Sequence, residues 1–156
     1  MAFAERRDYE RSEQGTHSAA STRVFQHFNQ HNVDLYPEFY SETFVQHTPA
    51  MGKLGAEQHR QLLISLFAAF PDSHWTVVDQ IGEGEKVVTR WTLVATHLGA
   101  FMGIAPSGRQ LISGGVCIDH IVDGKIVEEW EEWDTLGMMQ QLGAVPVAKV
   151  DQPLAV

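Results

Sequence analysis

Seven residues, Glu128–Asp134 (EEWEEWD), hold four glutamates, two tryptophans and an aspartate. Carboxylates this dense form either a solvated face or a source of protons. A carboxyl group set against an apolar wall binds its proton more tightly than in water and can take and return it near neutral pH. Histidines that could assist such a group stand at His47 in FVQHTP, His97 in ATHLG and His120 in CIDHIV. Asp134 has a second reading as a plain helix N-cap before TLGMMQQLG, and the two roles are compatible. Metal-ligand spacing is absent apart from His27 and His31, an i, i+4 pair among apolar neighbours, so no metal is expected. The lone cysteine, Cys117, lies in an apolar run and reads as a small buried hydrophobe. His17, His27, His31, His59 and His74 read as surface or helix-packing residues.

The elements that must position these groups fit one domain of 156 residues, with 44% hydrophobic residues and 10% aromatics. A net charge of −9 argues against nucleic acid and anionic membrane as partners and favours neutral or apolar ligands. One cysteine permits no intrachain disulfide and suits a reduced, cytoplasmic setting. No apolar run approaches the ~18 residues of a membrane span. The charged N-terminus is unlike a signal peptide and reads as a flexible leader over 1–17, before a domain over 18–145 and a tail over 146–156.

The 3.6-residue period predicts helices over Ser21–Asn32, with Ser18 or Ser21 as cap, and over Ala56–Phe70. A short helix around Pro37 and a strand through FVQHT lie between them, and MGKLG reads as a loop. From Trp75 the period falls to two. Strands are expected over Trp75–Glu83, Lys86–Leu98 with Val87, Trp91, Leu93 and Ala95 on its apolar face, Arg109–Val122, and Lys125–Trp133. Asp134 and Gly143 would cap a closing helix. Mid-strand Gly114 and Gly115 suggest a bend. Helices followed by a strand meander mean an α+β fold: N-terminal helices in the concave face of a strongly curved antiparallel sheet, a cone with an interior.

The turn VDGK sets which face each carboxylate occupies. A two-residue type I′ turn puts His120 with Val127, Glu129, Glu131 and Trp133; a bulged turn puts it with Ile126, Glu128, Trp130, Glu132 and Asp134. The second is favoured, because Val116, Ile118, Ile126 and Trp130 then make an apolar inner face into which His120 and Asp134 are set. Glu129, Glu131 and Trp133 would face solvent or a second copy across the outer sheet. Glu128 and Glu132 would need partners such as Arg90, Arg109 or a histidine.

FVQHTP, FPDSHWTV, VVTRWTLVATHLGAFMGIAPSGR and DGKIVEEWEEWDTLGMMQQLG together resemble the SnoaL-like polyketide cyclase (ester cyclase) branch of the nuclear-transport-factor-2-like superfamily, over roughly residues 20 to 145. The resemblance implies a cone-shaped α+β barrel and a ring closure by intramolecular aldol condensation without metal or organic cofactor. It implies Asp134 as general acid/base, His120 and His47 as its helpers, and His97 as a pocket residue. Trp91, Trp130, Phe101 and Met102 are expected to form the surface holding a small, apolar, oxygen-bearing substrate, in a homodimer formed through the outer sheet face. Other enzymes of the fold (epoxide hydrolase, isomerase, hydroxylase) and a non-catalytic ligand-binding or dimerising module are the alternatives.

Overall fold

The computed structural model describes residues 2–147, and side chains from residue 15 onward. The first helix, α1, runs Ala2–Phe28 without interruption. It begins well before the expected caps at Ser18 and Ser21, because Ala, Glu, Arg and Gln upstream are good helix formers and no proline intervenes. Ser21 therefore lies inside the helix, on the face it shares with Val24, Phe25 and Phe28 at helical spacing. A 3-10 turn, Val33–Leu35, leads into the four-residue α2, Tyr36–Phe39, with Pro37 in its first turn, where the missing N–H costs nothing.

Strand β1, Tyr40–Thr48, follows, with Phe44, Gln46 and Thr48 buried in alternation. The segment expected as a loop is a short strand, β2, Gly52–Gly55, paired antiparallel to β1 from Thr48↔Gly52 to Val45↔Gly55. Helix α3, Ala56–Ala69, buries His59, Leu63 and Phe67. The meander is β3, His74–Glu83; β4, Lys86–Thr96; β5, Gln110–Val122; and β6, Lys125–Trp133. Helix α4, Thr135–Leu142, closes the described chain between its expected caps, Asp134 and Gly143, the latter left-handed at φ 84°.

The six strands form one sheet in the order β2-β1-β6-β5-β4-β3. All pairings are antiparallel except β1 with β6, which is parallel. Helix α1 packs on β3 and β4, α3 on β1 and β2, and α4 on β5. The α+β cone expected from the order of elements is present, with its core between helices and the concave sheet face.

Three features of the hairpins decide which residues reach that core. Asp123 and Gly124 both have positive φ, so the β5–β6 turn is type I′, with Val122 opposite Lys125 and Ile121 opposite Ile126. The register then shifts: Val127 is an extra residue, and His120 pairs with Glu128. The bulge puts Ile126 on the same face as Glu129 and Glu131. Finally, Gly115 sits opposite Trp91, and a Cβ there would lie 2.5 Å from the indole Cζ2. Gly115 is thus a seat for Trp91, in a strand that pairs with β4 without a register break.

A candidate active site on the concave face

Cross-strand partners share a face. The inner face of β4 is Val87, Thr89, Trp91, Leu93 and Ala95, all buried. Its pairing with β5 (Val87↔Asp119, Thr89↔Cys117, Trp91↔Gly115) therefore turns Cys117 and Asp119 inward. Pairing of β5 with β6 (Asp119↔Glu129, Cys117↔Glu131, Gly115↔Trp133) turns Glu129, Glu131 and Trp133 inward in turn. This reverses the expected orientation: Glu128, Trp130 and Glu132 lie on the outer face with His120, and Glu129 and Glu131 reach the interior. The outer face carries the exposed apolar residues Val94, Ile112 and Val116, which made it resemble a core face in sequence.

The inner residues line a chamber closed by Val24, Phe25 and Phe28 from α1, Leu62, Leu63 and Leu66 from α3, and Trp75, Trp91 and Phe101. The cavity volume is about 70 Å³. Met51, Leu62, Leu66 and Trp133 are half-buried and mark the mouth. The chamber is apolar except at one end, where Asp119, Glu129 and Glu131 converge, and among the described residues no lysine or arginine lines it.

Gln46 holds two of the acids together. Its Nε2 donates to Glu129 Oε1 at 2.7 Å and to Glu131 Oε2 at 3.0 Å. Asp119 and Glu129 are cross-strand partners whose carboxyl oxygens come within 4.8 Å of each other; the Ser21 hydroxyl donates to Asp119 Oδ2 at 2.6 Å, and Asp119 Oδ1 is buried without a hydrogen-bond partner among the described residues. Burial pushes Glu129 well above the ordinary carboxylate range, and the charges of Asp119 and Glu131 push it further. Burial also raises Asp119, opposed by the Ser21 hydrogen bond. Glu131 is pushed up to about 7, first by burial and then by the charge on Asp119. Burial pushes the Cys117 thiol well up, so it is no thiolate nucleophile at neutral pH.

Across the chamber lies His59 of α3. The Tyr36 hydroxyl meets its Nδ1 at 3.1 Å, and it packs among Tyr36, Tyr40 and Phe44. Burial lowers it to about 3, so the imidazole is neutral. The Trp91 Nε1–H is buried in the chamber wall without a partner among the described residues. An acid titrating near neutrality, unpaired donors and a dry wall can together move a proton on and off carbon.

A model of the SnoaL-like polyketide cyclase family matches residues 19–142. The chain belongs to that family. Comparison with curated proteins gives no match. Among solved structures, the chain is similar to AclR from Streptomyces galilaeus, a proposed hydroxylase, with a TM-score of 0.80 and 25% identity over 88% of this chain and 87% of that one. It is similar to TsrD from Streptomyces laurentii, with a TM-score of 0.75 and 26% identity over 85% and 98%. The proposed polyketide cyclase IdmH from Streptomyces antibioticus gives 0.72 and 28% over 81% and 98%.

Within this SnoaL-like frame the residues expected from sequence fall in two places. Trp91 and Phe101 line the chamber. Asp134 does not reach it: the side chain is exposed and accepts from Gly137 N at 2.8 Å as the N-cap of α4. His47 lies on the outer face, 2.8 Å from Glu128 and stacked on Trp130 with ring centroids 5.4 Å apart. Lys86 covers the same Trp130 ring, so Trp130 is an outer-face residue rather than a chamber wall. His120 is also outside, 3.1 Å from Glu85. His97 is buried behind the chamber, stacked on Phe70 and bonded through Nδ1 to Ser107, where it fastens the 98–108 loop. Met102, at the tip of that loop, is exposed.

Of the expected partners of Glu128 and Glu132, a histidine, His47, does meet Glu128, whereas Arg90 is engaged with Asp79 and Arg109 with the Gln141 carbonyl. Reading the sequence did not single out Gln46, His59, Asp119, Glu129 or Glu131 as chamber groups. One signal was present: Phe44 and Gln46 alternate with His47 along β1, so burying Phe44 turns Gln46 in and His47 out.

Proposed function

We propose that the chain closes a ring by intramolecular aldol-type condensation of an apolar, oxygen-bearing, polyketide-like substrate, with Glu131 as general base and acid. The observation that carries this reading is a half-buried carboxyl, pushed up to about 7, at the polar end of an otherwise apolar chamber. In its ionised form Glu131 takes a proton from a carbon between two carbonyls. The enolate carbon bonds to a second carbonyl carbon of the same molecule, whose oxygen becomes an alkoxide. That alkoxide takes back the proton from Glu131, so no atom is gained or lost. Trp91 Nε1–H is the donor on hand for the enolate oxygen. Glu129, more deeply buried, keeps its proton and stabilises the Glu131 charge through Gln46. Binding that brings the two carbons together supplies much of the rate, and no cofactor is required.

Met51, Leu62 and Leu66, half-buried at the mouth, line the way in for the substrate. The likeness to AclR supports a second reading, a hydroxylation begun by the same deprotonation. The two differ in mass balance: ring closure yields an isomer of the substrate, whereas hydroxylation adds an oxygen and consumes an oxidant. The test is a panel of aryl β-keto esters bearing a second carbonyl, followed by mass spectrometry. An isomeric product that Glu131→Gln fails to form supports the reading, and unimpaired turnover by that variant overturns it. We also propose that the uncovered outer sheet face, with Val94, Ile112 and Val116, pairs with a second copy of the chain. Ile112→Glu should then convert a dimer to a monomer in light scattering.

A further inference from the structure

Resting on the acid–base reading above, the three carboxylates raise a question of their own: which of them holds the proton. The hydrogen-bond donors around the trio give an answer by direction. Thr22 Oγ1 donates to Gln80 Oε1 at 2.7 Å, which fixes the Gln80 amide with its nitrogen toward Thr89. Gln80 Nε2 donates to Thr89 Oγ1 at 2.9 Å. Thr89 Oγ1 and Ser21 Oγ are 3.0 Å apart, and Ser21 has one proton, which it gives to Asp119 Oδ2 at 2.6 Å. Ser21 must therefore accept from Thr89. Every donor in the chain Thr22–Gln80–Thr89–Ser21 is oriented by the one before it, and the last points at Asp119. Ser21 and Thr89 have no exposed surface, so water does not compete for these bonds.

An acceptor held by an oriented chain of donors keeps its negative charge. Glu129, whose carboxyl comes within 4.8 Å of that charge, is then the neighbour that stays protonated. Its other oxygen contact, Gln46 Nε2, is shared with Glu131. The titratable groups facing Asp119 are Cys117 on its own strand, Glu129 and Glu131 on β6, and Tyr40 on β1. Helix α1 and strand β4 bring hydroxyls and no charge to it, and α3 contributes only the neutral His59 across the chamber.

We propose that Ser21 is a positioning residue which, with Thr89, Gln80 and Thr22 behind it, fixes Asp119 as the ionised member of the trio and leaves Glu129 and Glu131 to carry the exchangeable proton. The chain begins at half-buried residues, Thr22 and Gln80, and ends at Ser21, which does not line the chamber, so it acts on Asp119 from behind. Without the Ser21 donor, Asp119 takes the proton and Glu129 becomes the anion. That negative charge lies beside Glu131, on the same amide, and raises the pH at which Glu131 ionises.

The test reads ionisation directly, in the free protein, by carbon-13 NMR of side-chain-labelled Asp and Glu between pH 4 and 9. In the wild type the Asp119 carboxyl carbon should report the ionised form at pH 7. Ser21→Ala should raise its midpoint by about one unit, a tenfold gain in proton affinity, and shift Glu131 upward in step. Ser21→Thr, which keeps the hydroxyl, should restore the wild-type order. Where Ser21→Ala does not fold, Thr89→Val removes the donor behind Ser21 and should move Asp119 in the same direction by a smaller amount. A role in packing alone would lower the melting temperature and leave the titrations in place. A protonated Asp119 in the wild type at pH 7, or titrations unmoved by these variants, overturns the proposal. The correct order in a protein that turns over no substrate would instead overturn the proposed function and leave this inference standing.

Discussion

The two faces of β6 carry the same residue types in opposite surroundings. Glu129, Glu131 and Trp133 point into the cone; Glu128, Trp130 and Glu132 point out of it. Outside, Glu128 pairs with half-exposed His47, and Trp130 is sandwiched between His47 and Lys86, with solvent close by. Inside, the glutamates meet each other, Asp119 and one amide, with no cation. A carboxylate gains reactivity from what is missing around it, water and positive charge, rather than from its identity. Successive side chains of one strand thus divide into a chemical set and a surface set.

The sharpest way to break this contrast is to neutralise one acid on each face. Glu131→Gln should lower kcat/KM by at least about 100-fold, the lower end of what a positioned acid/base contributes, whereas Glu132→Gln should stay within about twofold. Equal losses would show that the faces do not differ in function. Next in size is the seat of the chamber wall. Gly115→Val drives a side chain into Trp91 and should cost about 1–3 kcal/mol in denaturant unfolding. Full stability would mean the indole is not held against the strand there.

The pH dependence of stability separates two inner groups by sign. Glu131 is pushed up to about 7 in the folded chain and returns to the ordinary glutamate value, near 4.5, when unfolded. Between those values the native state binds more protons, so stability falls as pH rises through that window. His59 behaves in reverse. It holds no proton until about 3 when folded but binds one near 6.5 when unfolded, so stability falls as pH drops from 6.5 toward 3. Each slope is at most about 1.4 kcal/mol per pH unit. Glu131→Gln should remove the first and His59→Gln the second, as read from denaturation midpoints across pH; unchanged slopes would show these groups are solvated. The smallest effect concerns the rim. Asp134→Ala should cost about 1 kcal/mol as a lost N-cap and leave kcat/KM near wild type.

Much of the architecture was legible because it follows from period and turn chemistry. The α3 pattern, the strands from Trp75 on, and the Asp134 and Gly143 caps are local signals, and local physics decides them. The family was legible too, from motifs spread over the domain. The face of β5 and β6 was not. Its apolar side, Ile112, Val116 and Ile118, lies where no helix among the described residues covers the sheet, while the inner side carries Asp119, Glu129 and Glu131. A rule that puts apolar residues inside chooses the wrong face wherever the inside has chemistry to do. The bulge at Val127 added to this, since one extra residue lets Ile126 and Glu129 share a face that simple alternation denies them. Helix α1 was read short because its first half lacks an apolar stripe, although its residue types favour helix throughout.

Glu131, on the concave face, is the acid poised near neutrality. The most direct measurement is the pH titration of its side-chain carboxyl carbon in the free protein. The structure predicts a midpoint at about 7. A midpoint in the ordinary carboxylate range, near 4.5, would contradict the claim and leave the chamber without its base.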